Sequence, residues 1–186
     1  MPNWCNNTLT LTHDDPAMMQ RALKGFNAKA FMAEFLPIPE PLKITAGREG
    51  PDGSPEQLKL IAAEVANKTI YGFKNWYDWC VGEWGTKWDF GVNADEPATL
   101  NEDGALRVGF ETAWSPPLEG YFHLMDLGFK VLAYYYEPGD GYYGKVTNEG
   151  DNFYRIKGGA DWIKANIPAD ITDEMGVIDD EMFEEE

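Results

Sequence analysis

Residues 129–137, FKVLAYYYE, are apolar on both faces of an extended chain. A strand of that kind must be covered from both sides, which places it centrally in a sheet. Two further segments alternate instead. Leu9 and Leu11 in 7–12 (NTLTLT), and Leu106, Val108 and Phe110 in 105–113, predict strands with one buried face. Residues 86–92 also read as a strand. PGDG at 138–141 turns the chain back into YYGKV, and 148–152 turn it again into FYRIK, a C-terminal hairpin.

The helices are announced by their ends. Asp14 or Asp15 before Pro16 is a start, with Met19, Leu23 and Phe26 on one face. A short helical pattern follows over 29–35, and the prolines of FLPIPEP (35–41) keep the next segment extended. Ser54-Pro55-Glu56-Gln57 is a capping box that opens a helix with Leu58, Ile61 and Val65 as its apolar stripe. A helix over 75–84 should end at Gly85 in a left-handed cap. Ser115-Pro116 predicts the next start, with Ser115 as cap, Leu118, Phe122 and Met125 as buried face, and Gly128 as stop. A short helix over 160–166 precedes an acidic end.

Strand, helix, insertion, strand, strand, helix, strand is an α+β order. It predicts a ferredoxin-like split β-α-β antiparallel sheet, with a helical insertion (about 29–85) in the first crossover and an extra C-terminal β-hairpin. The length of 186 residues suits one domain, read as 1–168, followed by an acidic C-terminal tail, 169–186.

Charge narrows the partners. The net charge is −17, and nine acidic residues with no basic one lie between Asp170 and Glu186. Such a field repels phosphate backbones, so no direct nucleic acid binding is expected. The tail is either a solubilising segment or bait for a basic partner, including a protein that itself binds DNA. No apolar run is long enough for a membrane span and the N-terminus has no signal-peptide pattern, so the expected place is the cytoplasm. Cys5 and Cys80 have neither metal spacing nor neighbouring histidines and predict buried free thiols.

Four of the seven tryptophans fall in 76–89, WYDWCVGEWGTKWD. The run is either the anchor of a core or the floor of a site. Helical spacing assigns Trp76, Trp79 and Cys80 to the core. The run also carries a resemblance, together with MPNWCNN at the N-terminus, FLPIP at 35–39, FETAWSPP at 110–117, and the glycines around Glu137, Gly141 and Gly144. Over roughly residues 1–150 the chain resembles the YubB ferredoxin-like family, whose members are carried by bacteriophages and conjugative plasmids. The resemblance implies a ferredoxin-like domain and no activity.

Two candidate sites follow. Trp84 and Trp88 could flank a pocket into which Thr86 and Lys87 point, an aromatic wall with one cation that suits a planar anionic ligand such as a nucleotide. Alternatively both tryptophans are core and Lys87 reaches to water. The junction Glu111, Trp114, Ser115 offers backbone amides for an anion, or Ser115 is simply a helix cap. Glu111 is placed to pair with Lys87 on a preceding strand.

Catalysis finds little footing. His123 with Glu111 or Asp126 is the least poor acid–base group, and no phosphate-cradling loop, metal site or cofactor motif is present. Three functions therefore stay open. The first is a non-enzymatic accessory protein of a phage or plasmid that binds a host protein, as a defence antagonist with an acidic surface. The second is a nucleotide-like small-ligand binder with an aromatic pocket. The third is an enzyme with a Glu/His site.

Overall fold

Described residues in the computed structural model are 2–92 and 97–176. Five strands form one antiparallel sheet: β1 (Trp4–Thr12), β2 (Leu106–Ala113), β3 (Lys130–Glu137), β4 (Tyr142–Thr147) and β5 (Gly150–Arg155), in the order β2-β1-β3-β4-β5. β1 is the hub. Leu9 faces Val108 of β2 and Ala133 of β3, and the alternation seen in sequence keeps Cys5, Asn7, Leu9 and Leu11 on one buried face. The chain is thus an α+β protein.

Helices α1 (Pro16–Asn27), α2 (Phe31–Phe35) and α5 (Leu118–Asp126) cover that face. α1 starts as expected, with Asp15 accepting from the Ala17 N–H ahead of Pro16. Phe26, Phe31, Phe35, Phe90, Phe110 and Phe129 make an aromatic core, in which Phe90 and Phe110 stack at 4.3 Å. α5 joins β2 to β3 across β1. It buries Tyr121 and Leu124 and leaves Phe122 exposed, because Gly120 sits against the Met32 side chain and the Trp84 carbonyl and fixes its rotation.

The doubly apolar reading of β3 is explained by a second, smaller core on the other face. Tyr136 and Tyr143 stack at 4.4 Å beneath Ile163 and Ile167 of the α6 region (Ala160–Asn166) and Ile171 of α7 (Ala169–Met175). The acidic segment therefore begins as a packed helix, tied down by Lys145 Nζ to Asp170 at 2.5 Å. Residues 177–186, the rest of the predicted tail, lie outside the described residues.

Besides the buried Phe122 expected of α5, two further sequence expectations fail. Residues 86–92 form no strand. Val92 donates to the Phe26 carbonyl, and the Phe90 carbonyl accepts from Phe31, so this backbone is bonded to the α1–α2 junction and not to the sheet. The helix α3 (Pro55–Tyr71), capped by Ser54 at Gln57 as expected, leaves Leu58, Ile61 and Val65 exposed. Its buried side is Leu60 and Asn67, seven residues apart on one face, because the Asn67 amide donates to the carbonyls of Pro41 and Lys74.

Both cysteines are free and buried. Burial pushes each thiol up to about 12, helped at Cys5 by the Glu137 carboxylate and at Cys80 by Asp89. Neither thiol should react with an alkylating reagent at pH 8 in the folded protein, and both should react once denaturant unfolds it; mass spectrometry reads the number of adducts. The Lys145 ammonium holds the Asp170 carboxyl below its usual range. That contribution is complete above the ordinary carboxylate value of about 3.9 and is lost as pH falls through the lowered one. Acidification through that window should release α7, read by rising amide exchange over 169–175, and Asp170→Asn should remove the pH dependence.

Candidate functional site

The helix predicted over 75–84 is α4 (Trp76–Trp79) continued by a π-helical turn over Cys80–Trp84. Asn75 caps it by accepting from the N–H groups of Tyr77 and Asp78. Gly85 ends it at φ 80°, the left-handed cap expected. A Cβ at Gly85 would lie 2.9 Å from the Leu118 N–H nitrogen, so the cap also allows close approach to the start of α5. Trp76 and Trp79 pack against the main core and Cys80 lies within it.

Downstream of the cap the side chains alternate between anchor and surface. Thr86 is buried and its hydroxyl donates to the Ala113 carbonyl at 3.1 Å. Lys87 and Trp88 point outward. Asp89 turns back in: its carboxylate accepts from the N–H groups of Met32 (2.8 Å), Ala33 (2.9 Å) and Phe90 (2.8 Å), which caps α2 from a distant segment. Burial pushes the Asp89 carboxyl up, and these amides oppose the shift.

Lys87 is the centre of the cluster. Its ammonium lies 4.4 Å from the Trp88 ring, 5.1 Å from Trp114 and 5.8 Å from Tyr77. Trp88 and Trp114 remain 41% and 40% exposed, and Trp4 meets Trp88 at 6.1 Å. A groove of about 550 Å³ runs from Lys87 and Trp114 past Tyr77 and Trp76 to Asn75, Lys74 and Glu64. Its charges are mixed, with Lys74 and Lys87 set against Glu64 and Asp78.

Trp114 holds its place at a backbone cost. Its φ is +69°, a left-handed conformation that disfavours bulky residues. The backbone is fixed there by its N–H donating to Asn3 and its carbonyl accepting from the Tyr142 hydroxyl. An exposed indole in that conformation is poorly explained by stability alone.

Of the expected site residues, the structure brings Lys87, Trp88 and Trp114 together. Trp84 is corrected: it is 2% exposed and its indole donates to the Leu36 carbonyl, so it is core. Thr86 is corrected likewise, since its hydroxyl is spent on Ala113. Ser115 is not a helix cap. Its hydroxyl donates 2.6 Å to the Gly85 carbonyl, while α5 begins at Leu118 after Pro117, because two prolines intervene. Glu111 does not pair with Lys87. It projects from β2 beside Trp4 and Trp88 in a separate hollow of about 220 Å³, and Lys87 is held by rings on a loop.

Glu111 and His123 do not meet. Glu111 stands opposite Asn6 on the sheet face away from α5, which carries a half-buried His123. Tyr77 and Trp4 complete the aromatic surface and were not singled out in sequence, although Tyr77 lies in the tryptophan run and Trp4 in the MPNWCNN opening. No group of residues suited to a metal ion occurs among the described residues, and no helix among them is long and apolar enough to cross a membrane.

No family model and no curated protein matches the chain. Among solved structures it is similar to the crystal structure of a protein api92 from Yersinia pseudotuberculosis, family-model DUF1281. Identity is 13%, with 85% of this chain and 100% of that chain covered and a TM-score of 0.43. Likeness at that level transfers neither fold nor activity to this chain.

Asp89→Ala should strip three amides of their acceptor and lower stability by about 1–3 kcal/mol, read by urea unfolding. Trp114→Gly should leave stability within about 1 kcal/mol of the parent, since left-handed backbone relief offsets the lost ring contacts.

Proposed function

We propose that the chain is a non-enzymatic binding protein whose site is the groove at Lys87, taking a planar ligand with an anionic group, of nucleotide-like chemistry. One observation carries the reading: an ammonium beside three aromatic rings, of which Tyr77 and Trp114 line the groove with Lys87 and Trp88 stands on its outer side. The rings of Trp114 and Tyr77 offer stacking to a flat ring in the groove, and Lys87 offers a charge to its anionic group. The polar end of the groove, at Asn75 and Glu64, supplies donors and acceptors for the edge of such a ring. Thr86 and Ser115 act as positioning residues, since their hydroxyls pin the turn that presents Lys87.

Calorimetry with a panel of mono- and dinucleotides tests this. Binding should quench the exposed tryptophans, and Lys87→Ala or Trp114→Gly should weaken it about 10-fold or more while the fold persists. No heat and no thermal shift with any member of the panel would overturn the reading.

A second reading rests on the net charge of −17. In it the chain is an accessory protein of a phage or plasmid, in the host cytoplasm, capturing a basic host protein that binds nucleic acid. The resemblance to the YubB family supports this reading. Capture by charge must weaken steeply with salt, so salt-insensitive binding removes it. We read the fold more finely as ferredoxin-like. It is supported by β2, α5 and β3, which form a split β-α-β unit around β1, by the helical excursion between β1 and β2, and by the β4–β5 hairpin added at one edge.

A further inference from the structure

The sheet has two edges, and they differ. On the outer side of β2, Leu100 is bridged to Leu106. β5 has no strand beyond it among the described residues, and Asp151, Asn152, Phe153 and Arg155 are exposed. Natural edge strands are blunted by proline, by charged side chains, lysine above all, or by a bulge. Residues 150–155, GDNFYR, contain no proline or lysine, their two charges Asp151 and Arg155 are of opposite sign, and their register with β4 runs unbroken from Thr147–Gly150 to Tyr142–Arg155.

The direction of the free hydrogen-bonding groups follows from that register. Ile156 donates to the Gly141 carbonyl, so the pairs 141–156, 143–154, 145–152 and 147–150 are the hydrogen-bonded ones. The N–H and C=O groups of Asp151, Phe153 and Arg155 therefore point away from β4. The same three side chains share one face, where Phe153 is 54% exposed and lies 5.1 Å from the Tyr142 ring.

We infer that β5 is a self-pairing edge, and that its partner is β5 of a second copy of this chain, antiparallel and centred on Phe153. Charge complementarity selects this occupant. In that register Asp151 faces Arg155 of the second copy, Arg155 faces its Asp151, and the two Phe153 rings meet across the two-fold axis. Each of the three facing pairs can exchange two N–H···O bonds. A foreign strand without opposite charges four residues apart would leave Asp151 or Arg155 facing an unmatched neighbour. Asp151 is already oriented, because its carboxylate accepts from the Tyr135 hydroxyl at 2.8 Å, and the Tyr135 ring reaches it by crossing Gly144. The two sheets become one.

Sedimentation of the full chain over a concentration series up to about 1 mM tests the inference. The parent should shift reversibly from one to two protomers. Phe153→Pro removes an outward N–H without touching the bonds to β4, and should stay monomeric with an unchanged circular dichroism spectrum. Arg155→Asp places two carboxylates opposite each other and should also stay monomeric; it decides the matter if the proline variant misfolds. Mixing the Arg155→Asp chain with an Asp151→Arg chain should restore a dimer, now between unlike copies. A parent that is monomeric at about 1 mM overturns the inference. So does an Arg155→Asp chain that dimerises as the parent does, which would move the contact to another surface such as the exposed side of α3.

Discussion

A chain of buried hydrogen bonds runs from β1 to the surface, and the aromatic cluster around Lys87 depends on it. The Asn7 amide of β1 donates to the Cys5 carbonyl and to the Thr112 hydroxyl of β2. That hydroxyl donates to the Ser115 carbonyl, and the Ser115 hydroxyl donates to the carbonyl of Gly85. Thr86 closes the return path onto Ala113. Buried polar groups of this kind are costly unless paired, so the network fixes one arrangement of the loop relative to the sheet. The aromatic surface around Lys87 is carried by rigid elements through these bonds.

The two faces of the sheet do different work. One receives most of the apolar area, as phenylalanines from α1, α2 and the 90–92 segment close over β1 and β2. The other is a thin cover, with stacked tyrosines under isoleucines of the C-terminal helices, secured by the Lys145–Asp170 ion pair and by the Tyr143 hydroxyl, which donates to the Gly176 carbonyl. Local opening is expected first at the thin cover, where fewer buried side chains must separate.

Much of this was legible in the sequence because it is local. Leu9, Leu11, Val108 and Phe110 alternate as their strands do, and Asp15, Ser54 and Gly85 cap the helices they announce. The misreadings share one cause, a distant partner overriding a local pattern. Residues 86–92 alternate like a strand, yet Asp89 serves the amides of α2 and Gly91 lies against the Phe26 carbonyl. Ser115 precedes proline like a cap, yet its acceptor is thirty residues upstream. The apolar stripe of α3 points outward because an asparagine decides which side is held. For the site, Lys87 and Trp88 could be read from their run, and Trp114 from its junction. That the three converge with Tyr77 depends on the left-handed turn at Trp114, which no pattern of residue types announces.

Consider the alternation after Gly85 once more: anchor at Thr86, surface at Lys87 and Trp88, anchor at Asp89. A substitution in this stretch touches one anchor or one exposed side chain at a time, but a length change does not. Losing a single residue between the two anchors would either drag Trp88 inward or pull the carboxylate off α2, so the aromatic surface and the fold would be lost together. The stretch can vary in chemistry and cannot vary in length. A chain diverging from this one would be expected to take its insertions elsewhere, in the long excursion before α3, where backbone is exposed and little is fastened.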